Sequence, residues 1–108
     1  MMSVTVEVSE IVAKQLESLS GDNDHTLDQK IGELLAAEYR RRIARYNLTD
    51  RQLTSKYRMG YDEFERLAIV KQRGYTWEVE SDAMAWETAV DGIETTTEQL
   101  RALLHGRD

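Results

Sequence analysis

Val4-Thr5-Val6-Glu7-Val8-Ser9-Glu10-Ile11-Val12 is the stretch on which the reading of the fold turns. Val4, Val6 and Val8 alternate with Ser3, Thr5 and Glu7, the period of two that marks a half-buried strand, and β-branched residues suit that conformation. No second stretch alternates in this way. A lone strand cannot satisfy its own backbone hydrogen bonds. The alternation therefore predicts a strand that pairs with a second copy of the chain or with a partner.

Immediately after it the period changes. Ser9 is a good N-cap with Glu10 in the first turn, and Ile11, Val12, Leu16 and Leu19 follow at helical spacing. Ser20-Gly21-Asp22-Asn23-Asp24 supplies turn chemistry. Thr26 and Gln29 form a capping-box pair for a second helix. Its apolar face runs through Leu27, Ile31, Leu34, Leu35 and Ala36 to Tyr39, Ile43 and Tyr46, with Asn47 expected to end it. Thr49 or Asp50 would cap a short third helix to about Tyr57, broken by Met59-Gly60. A fourth helix opens at Asp62-Glu63, carries Tyr61, Phe64, Leu67, Ala68 and Val70, and stops at Gly74. A last helix is expected from Ser81-Asp82 to about Leu104, with Trp86, Val90, Ile93, Thr97, Leu100 and Leu104 at alternating spacings of four and three, a coiled-coil-like stripe. Gly106 and Asp108 would fray.

Composition narrows the class. The chain has 108 residues, no proline and no cysteine, with 41% hydrophobic and 31% charged residues. That suits amphipathic helices joined by short turns, and a small domain for which oligomerisation is a common remedy. Without cysteine there is no disulfide framework and no thiolate metal site. The apolar runs are too short for a membrane span. Met1 to Glu7 lacks the basic and apolar segments of a signal peptide, so a soluble, cytoplasmic protein is expected.

Chemistry-bearing patterns are scarce. His25 and His105 have no second histidine or cysteine at ligand spacing, so no metal is expected. No glycine-rich loop points to a nucleotide, and no Ser-His-Asp or Cys-His set points to nucleophilic catalysis. The reading is a binding protein and not an enzyme, with no catalytic residue, cofactor or small-molecule substrate.

Charge is uneven. The net charge is −6, yet Arg40, Arg41, Arg42, Arg45, Arg51, Lys56 and Arg58 form a basic segment with Asp50 as its one acid. Glu78, Glu80, Asp82, Glu87, Asp91, Glu94 and Glu98 form an acidic segment with no base among them. Either these segments attract each other, or one meets a partner of opposite sign. Arg41 and Arg45 share a helix face, as do Arg42 and Arg45. Trp77 and Trp86 are open to two readings, core residues or binding hot spots.

The order strand, helix, turn, helix over residues 3 to 46 resembles the ribbon-helix-helix fold, carried by Val4 to Val8, Ser9 to Leu16 and Thr26 to Ile31. The resemblance implies a homodimer whose N-terminal strands pair into a ribbon. It also implies outward strand residues Ser3, Thr5 and Glu7 reading operator DNA, with the amides near Thr26 and Leu27 holding phosphate. The layout of the whole chain looks like that of small bacterial antitoxins of toxin-antitoxin pairs. Lys56-Tyr57-Arg58-Met59-Gly60-Tyr61-Asp62-Glu63-Phe64-Glu65 and Trp77-Glu78-Val79-Glu80-Ser81-Asp82 look like short proteins encoded beside a toxin-like partner. This second resemblance implies a dimerisation domain over 1–47 and a helical partner-binding region over 48–108, with Tyr61, Phe64, Trp77, Trp86, Val90, Ile93 and Leu100 as contacts to a cognate toxin. The acidic last helix would cover a basic, RNA-cleaving surface. The expected fold class is thus all-α with one short N-terminal strand, a ribbon-helix-helix-like dimer followed by a helical arm. A DNA-binding regulator without a toxin, and a helical adaptor or assembly module, are the alternatives.

Overall fold

The computed structural model describes residues 2–19 and 26–106. Five helices make up the structured part: α1 (Glu10–Ser18), α2 (Leu27–Tyr57), α3 (Tyr61–Arg66), α4 (Ile69–Gln72) and α5 (Trp77–Gly106). Among the described residues there is no strand. The expected ribbon-helix-helix ribbon is therefore corrected. Val4, Val6 and Val8 lie exposed on backbone that belongs to neither helix nor strand. Alternation is a property of side chains, whereas a strand is made by backbone pairing, and the five-residue pattern has no backbone partner here. The all-α part of the expected class stands.

The caps follow the residue chemistry. The Val12 amide donates to Ser9 Oγ at 3.3 Å. At the start of α2 the Gln29 amide donates to Thr26 Oγ1 at 3.2 Å while the Thr26 amide donates to Gln29 Oε1 at 2.9 Å, a reciprocal box. The turn expected at Ser20 to Asp24, with His25, lies outside the described residues, as does Asp108.

By compactness the chain divides into residues 1–35 and 36–108, a boundary that falls inside α2. Among the described residues of the first unit, Leu16 is the one buried large side chain. The second unit has a continuous core of Leu53, Tyr57, Phe64, Ile69, Val79 and Trp86, flanked by Met59, Tyr61, Val70, Ala83 and Val90.

Three helix boundaries differ from expectation. Asn47 does not end α2, which continues to Tyr57. The reason lies in the spacing Tyr39, Ile43, Tyr46, Asp50, Leu53, Tyr57, an unbroken seam of fours and threes that keeps one face of the helix against α5. Seam packing outweighs the weak local preference of Asn47, Thr49 and Asp50 for caps. The expected helix from Asp62 to Gly74 is split, because Ala68 adopts a left-handed conformation, φ 49°. That costs an alanine roughly 1–2 kcal/mol, and the bend it makes turns Phe64 and Ile69 into the same core. The Gln72 side chain closes the bend by donating to the Leu67 carbonyl at 2.6 Å. Finally, α5 begins at Trp77, four residues before Ser81. Thr76 caps it, accepting from the Val79 amide at 3.4 Å, and Glu78 and Glu80 in the first turn complement the helix dipole.

Within the second unit α2 and α5 run antiparallel, since Tyr57 meets Asp82, Asp50 meets Trp86, and Tyr46 meets Gly92. The last crossing is tight. A Cβ on Gly92 would stand 2.5 Å from the Tyr46 ring, so any larger residue there would have to push that ring aside. No helix among the described residues is long and apolar enough to cross a membrane.

Candidate partner-binding face

Trp86 fixes the rotation of α5. Its side chain is fully buried, 0% exposed, among the rings of Phe64 (centroids 5.0 Å apart), Tyr61 (5.5 Å) and Tyr57 (5.9 Å). Its indole N–H, which must find an acceptor when buried, donates to Asp50 Oδ1 at 2.8 Å. An apolar ring set and one directed hydrogen bond leave this side chain a single seating, so the opposite side of α5 is held outward.

The start of α5 is latched to the end of α2. Lys56 Nζ donates to Glu78 Oε1 and to Asp82 Oδ2, both at 2.6 Å, and Tyr57 donates its hydroxyl to the same Asp82 oxygen at 2.6 Å. Burial by itself would raise the Asp82 carboxyl, but the hydrogen bonds from Lys56 and Tyr57 outweigh it and hold the group below its ordinary value. Burial, and then the bond to Asp82, push the Tyr57 hydroxyl up. The two bonded carboxylates raise the Lys56 ammonium. Here the basic and acidic segments do attract each other. Arg41 and Arg42 instead hold Glu38 on their own helix, at 3.0 and 2.7 Å, and lower its carboxyl.

What faces outward is acidic and partly apolar. Glu80, Glu87, Asp91, Glu94 and Glu98 follow at spacings of seven, four, three and four, which places them in one stripe along α5. Among the described residues no base pairs with Glu87, Asp91, Glu94 or Glu98. The stripe is felt by Tyr61, whose hydroxyl is pushed up to about 12, first by burial and then by the nearby charges of Glu65, Glu87 and Asp91. Beside the stripe stand Trp77, 80% exposed, and Met84, 68% exposed, seven residues apart and so on one side of the helix.

The contacts expected from the sequence scatter across this geometry. Phe64 and Trp86 are interior residues of this chain's own core. Tyr61 and Val90 pack against that core, and Ile93 and Leu100 are half-buried on the inner side of α5. Of the set, Trp77 alone projects into solvent. Ser3, Thr5 and Glu7 are exposed on unpaired backbone, and Thr26 is engaged as a helix cap. Met84 was not singled out by the sequence reading, although its seven-residue spacing from Trp77 carries the signal. Asp50 was read as a cap. Its place within an otherwise apolar seam was the sign that it answers a buried donor.

No family model, no curated protein and no solved structure matches this chain.

Proposed function

We propose that the chain is an antitoxin-like, non-catalytic protein that binds and neutralises a basic protein partner through the outer face of α5. The observation that carries the reading is the pairing of an exposed tryptophan and methionine with a row of unpaired carboxylates on a helix whose rotation is locked. Exposed tryptophan beside a charged row is the composition of a binding hot spot with a steering rim. A single isolated apolar residue on a surface means little, but Trp77 and Met84 lie together and border one sign of charge. On an RNA-cleaving partner, which the antitoxin resemblance implies, the carboxylates would occupy the place of substrate phosphates. The reading carries a cytoplasmic setting beside that partner.

The test is co-expression with the product of the adjacent gene, with a tag on one protein only. The two are expected to co-purify. Trp77→Ala should weaken the complex by about thirtyfold, the scale of a ~2 kcal/mol hot spot. The paired change Glu87→Lys with Asp91→Lys should weaken it further and flatten its dependence on salt. If the complex forms but neither variant moves its affinity, α5 is not the binding face and the reading fails.

A further inference from the structure

The outer side of α2 carries a row of residues that α5 answers. Arg40, Ala44, Asn47 and Arg51 follow at spacings of four, three and four, which sets them on one side of the helix, and all four are exposed. The row has a guanidinium at each end and no acid. Asp50, the acid of the basic segment, is bonded to the buried Trp86 indole, and Glu38 is held by Arg41 and Arg42. Among the described residues neither Arg40 nor Arg51 has an acid partner. On α5, Glu87, Asp91, Glu94 and Glu98 repeat the spacings four, three and four with the opposite charge, and they too are exposed. The ends of each row are eleven residues apart, about 16 Å along a helix.

We propose that the α2 row of one copy of the chain seats on the α5 row of a second copy, with the two helices antiparallel. Arg40 of one copy then meets Glu98 of the other, and Arg51 meets Glu87. Between them the Asn47 amide donates to Asp91, and the small Ala44 leaves room for Glu94. Charge complementarity between two surfaces of equal spacing chooses a second copy as the occupant. The antiparallel sense opposes the two helix dipoles. It also repeats the register used inside the chain, where Tyr46 lies against Gly92. Arg40 is six residues before Tyr46, and Glu98 is six residues after Gly92. The two surfaces that meet are different, so the contact is heterologous and leaves an α2 row free on one copy and an α5 row free on the other. Exposed ion pairs are each worth no more than about 1 kcal/mol, so the association is weak and salt-sensitive. The carboxylates are those that the proposed function gives to a basic partner. As regulation of that face the inference rests on that reading, since a second copy and the partner exclude each other.

The experiment is sedimentation equilibrium of the full chain at low ionic strength over a rising concentration series. The mass is expected to climb from that of the 12.5 kDa chain past two copies, and to return to one copy in about 1 M salt, where charges are screened within ~3 Å. Arg40→Glu with Arg51→Glu, and separately Glu87→Arg with Glu98→Arg, should each hold the chain at one copy. An equal mixture of the two double variants should associate again, because each then offers a row that the other lacks. Near-ultraviolet circular dichroism of the Tyr57, Phe64 and Trp86 core should be unchanged in both, which separates loss of contact from loss of fold. Self-association is read on the chain alone, and the Arg40→Glu, Arg51→Glu variant, whose α5 is intact, should still co-purify with the adjacent gene's product. The inference can therefore fail while the α5 reading stands, and the reverse. A wild-type chain that stays at one copy at low salt, variants that associate like the wild type, or a mixture that fails to associate would overturn the proposal. A single-copy chain that gains mass only on addition of short duplex DNA would also overturn it, and would give the α2 row to phosphate.

Discussion

The two units differ in how they use the same residue types. In residues 36–108 one set of large apolar side chains converges, four aromatic rings meet at one point, and the Tyr57 hydroxyl and the Trp86 indole N–H each have a carboxylate acceptor. In residues 1–35 the leucines, isoleucines and valines are as abundant, yet nearly all remain in contact with solvent. The lesson concerns length and chain reversal. A core needs elements that return on one another, and α3, α4 and α5 fold back on α2 to supply them. Two short helices offer one line of contact, enough to bury Leu16 and little else.

The contrast makes graded predictions. The largest effect belongs at Trp86. Trp86→Ala removes the hub of the ring cluster and strands Asp50, and should cost about 3–5 kcal/mol, read as a collapse of the thermal transition followed by circular dichroism. A variant that melts like the wild type would mean that the second unit is no more closed than the first. Next comes Gly92→Ala, which drives a methyl into the Tyr46 ring and should cost about 1–3 kcal/mol. The double change with Tyr46→Ala should recover part of that loss, and no recovery would show that the close approach is not the cause.

Acid provides a smaller and directional effect. The Asp82 carboxyl is held below its ordinary value of 3.8 in the fold, so its contribution is fully present above that value and is lost as pH falls through the lower, folded one. Urea unfolding should therefore steepen in its pH dependence below about pH 4, and Asp82→Asn should flatten that limb. At the alkaline end the sign reverses. Tyr61 has an ordinary value of 10.0 and is raised to about 12, so its share of the stability is intact below pH 10.0 and disappears as pH climbs toward 12. Tyr61→Phe should remove that alkaline loss. The smallest effect is expected at Trp77, where Trp77→Ala should alter stability by no more than about 0.5 kcal/mol. A larger loss would turn that residue from a surface feature into part of the core.

Parts of this arrangement were legible in the residues. The Ser9 cap, the Thr26–Gln29 box and the stripe from Trp86 to Leu104, of which Leu104 alone lies exposed, follow from spacing and side-chain chemistry. The strand at Val4 to Val8 was misread because alternation in five residues cannot distinguish paired from solvated extended backbone. The continuation of α2 through Asn47 and the left-handed Ala68 were hidden for a different reason. Both are imposed by packing at a distance, from α5 in one case and from the Phe64–Ile69 side of the core in the other, and neither leaves a local mark. The candidate face was half legible. Its acidic row and Trp77 could be read directly, but Trp77 and Trp86 could be separated only once the rotation of α5 was known.

That separation gives the protein a built-in optical gauge. An indole surrounded by rings and bonded to Asp50, and another standing in water, emit at different wavelengths and meet a dissolved quencher at different rates. Acrylamide should extinguish the emission of Trp77 and spare that of Trp86. A ligand seated on α5 would shade the quenchable component alone, whereas loosening of the interior would redden the protected one. Two events that a single-tryptophan protein would confuse are thereby recorded in separate bands of one spectrum.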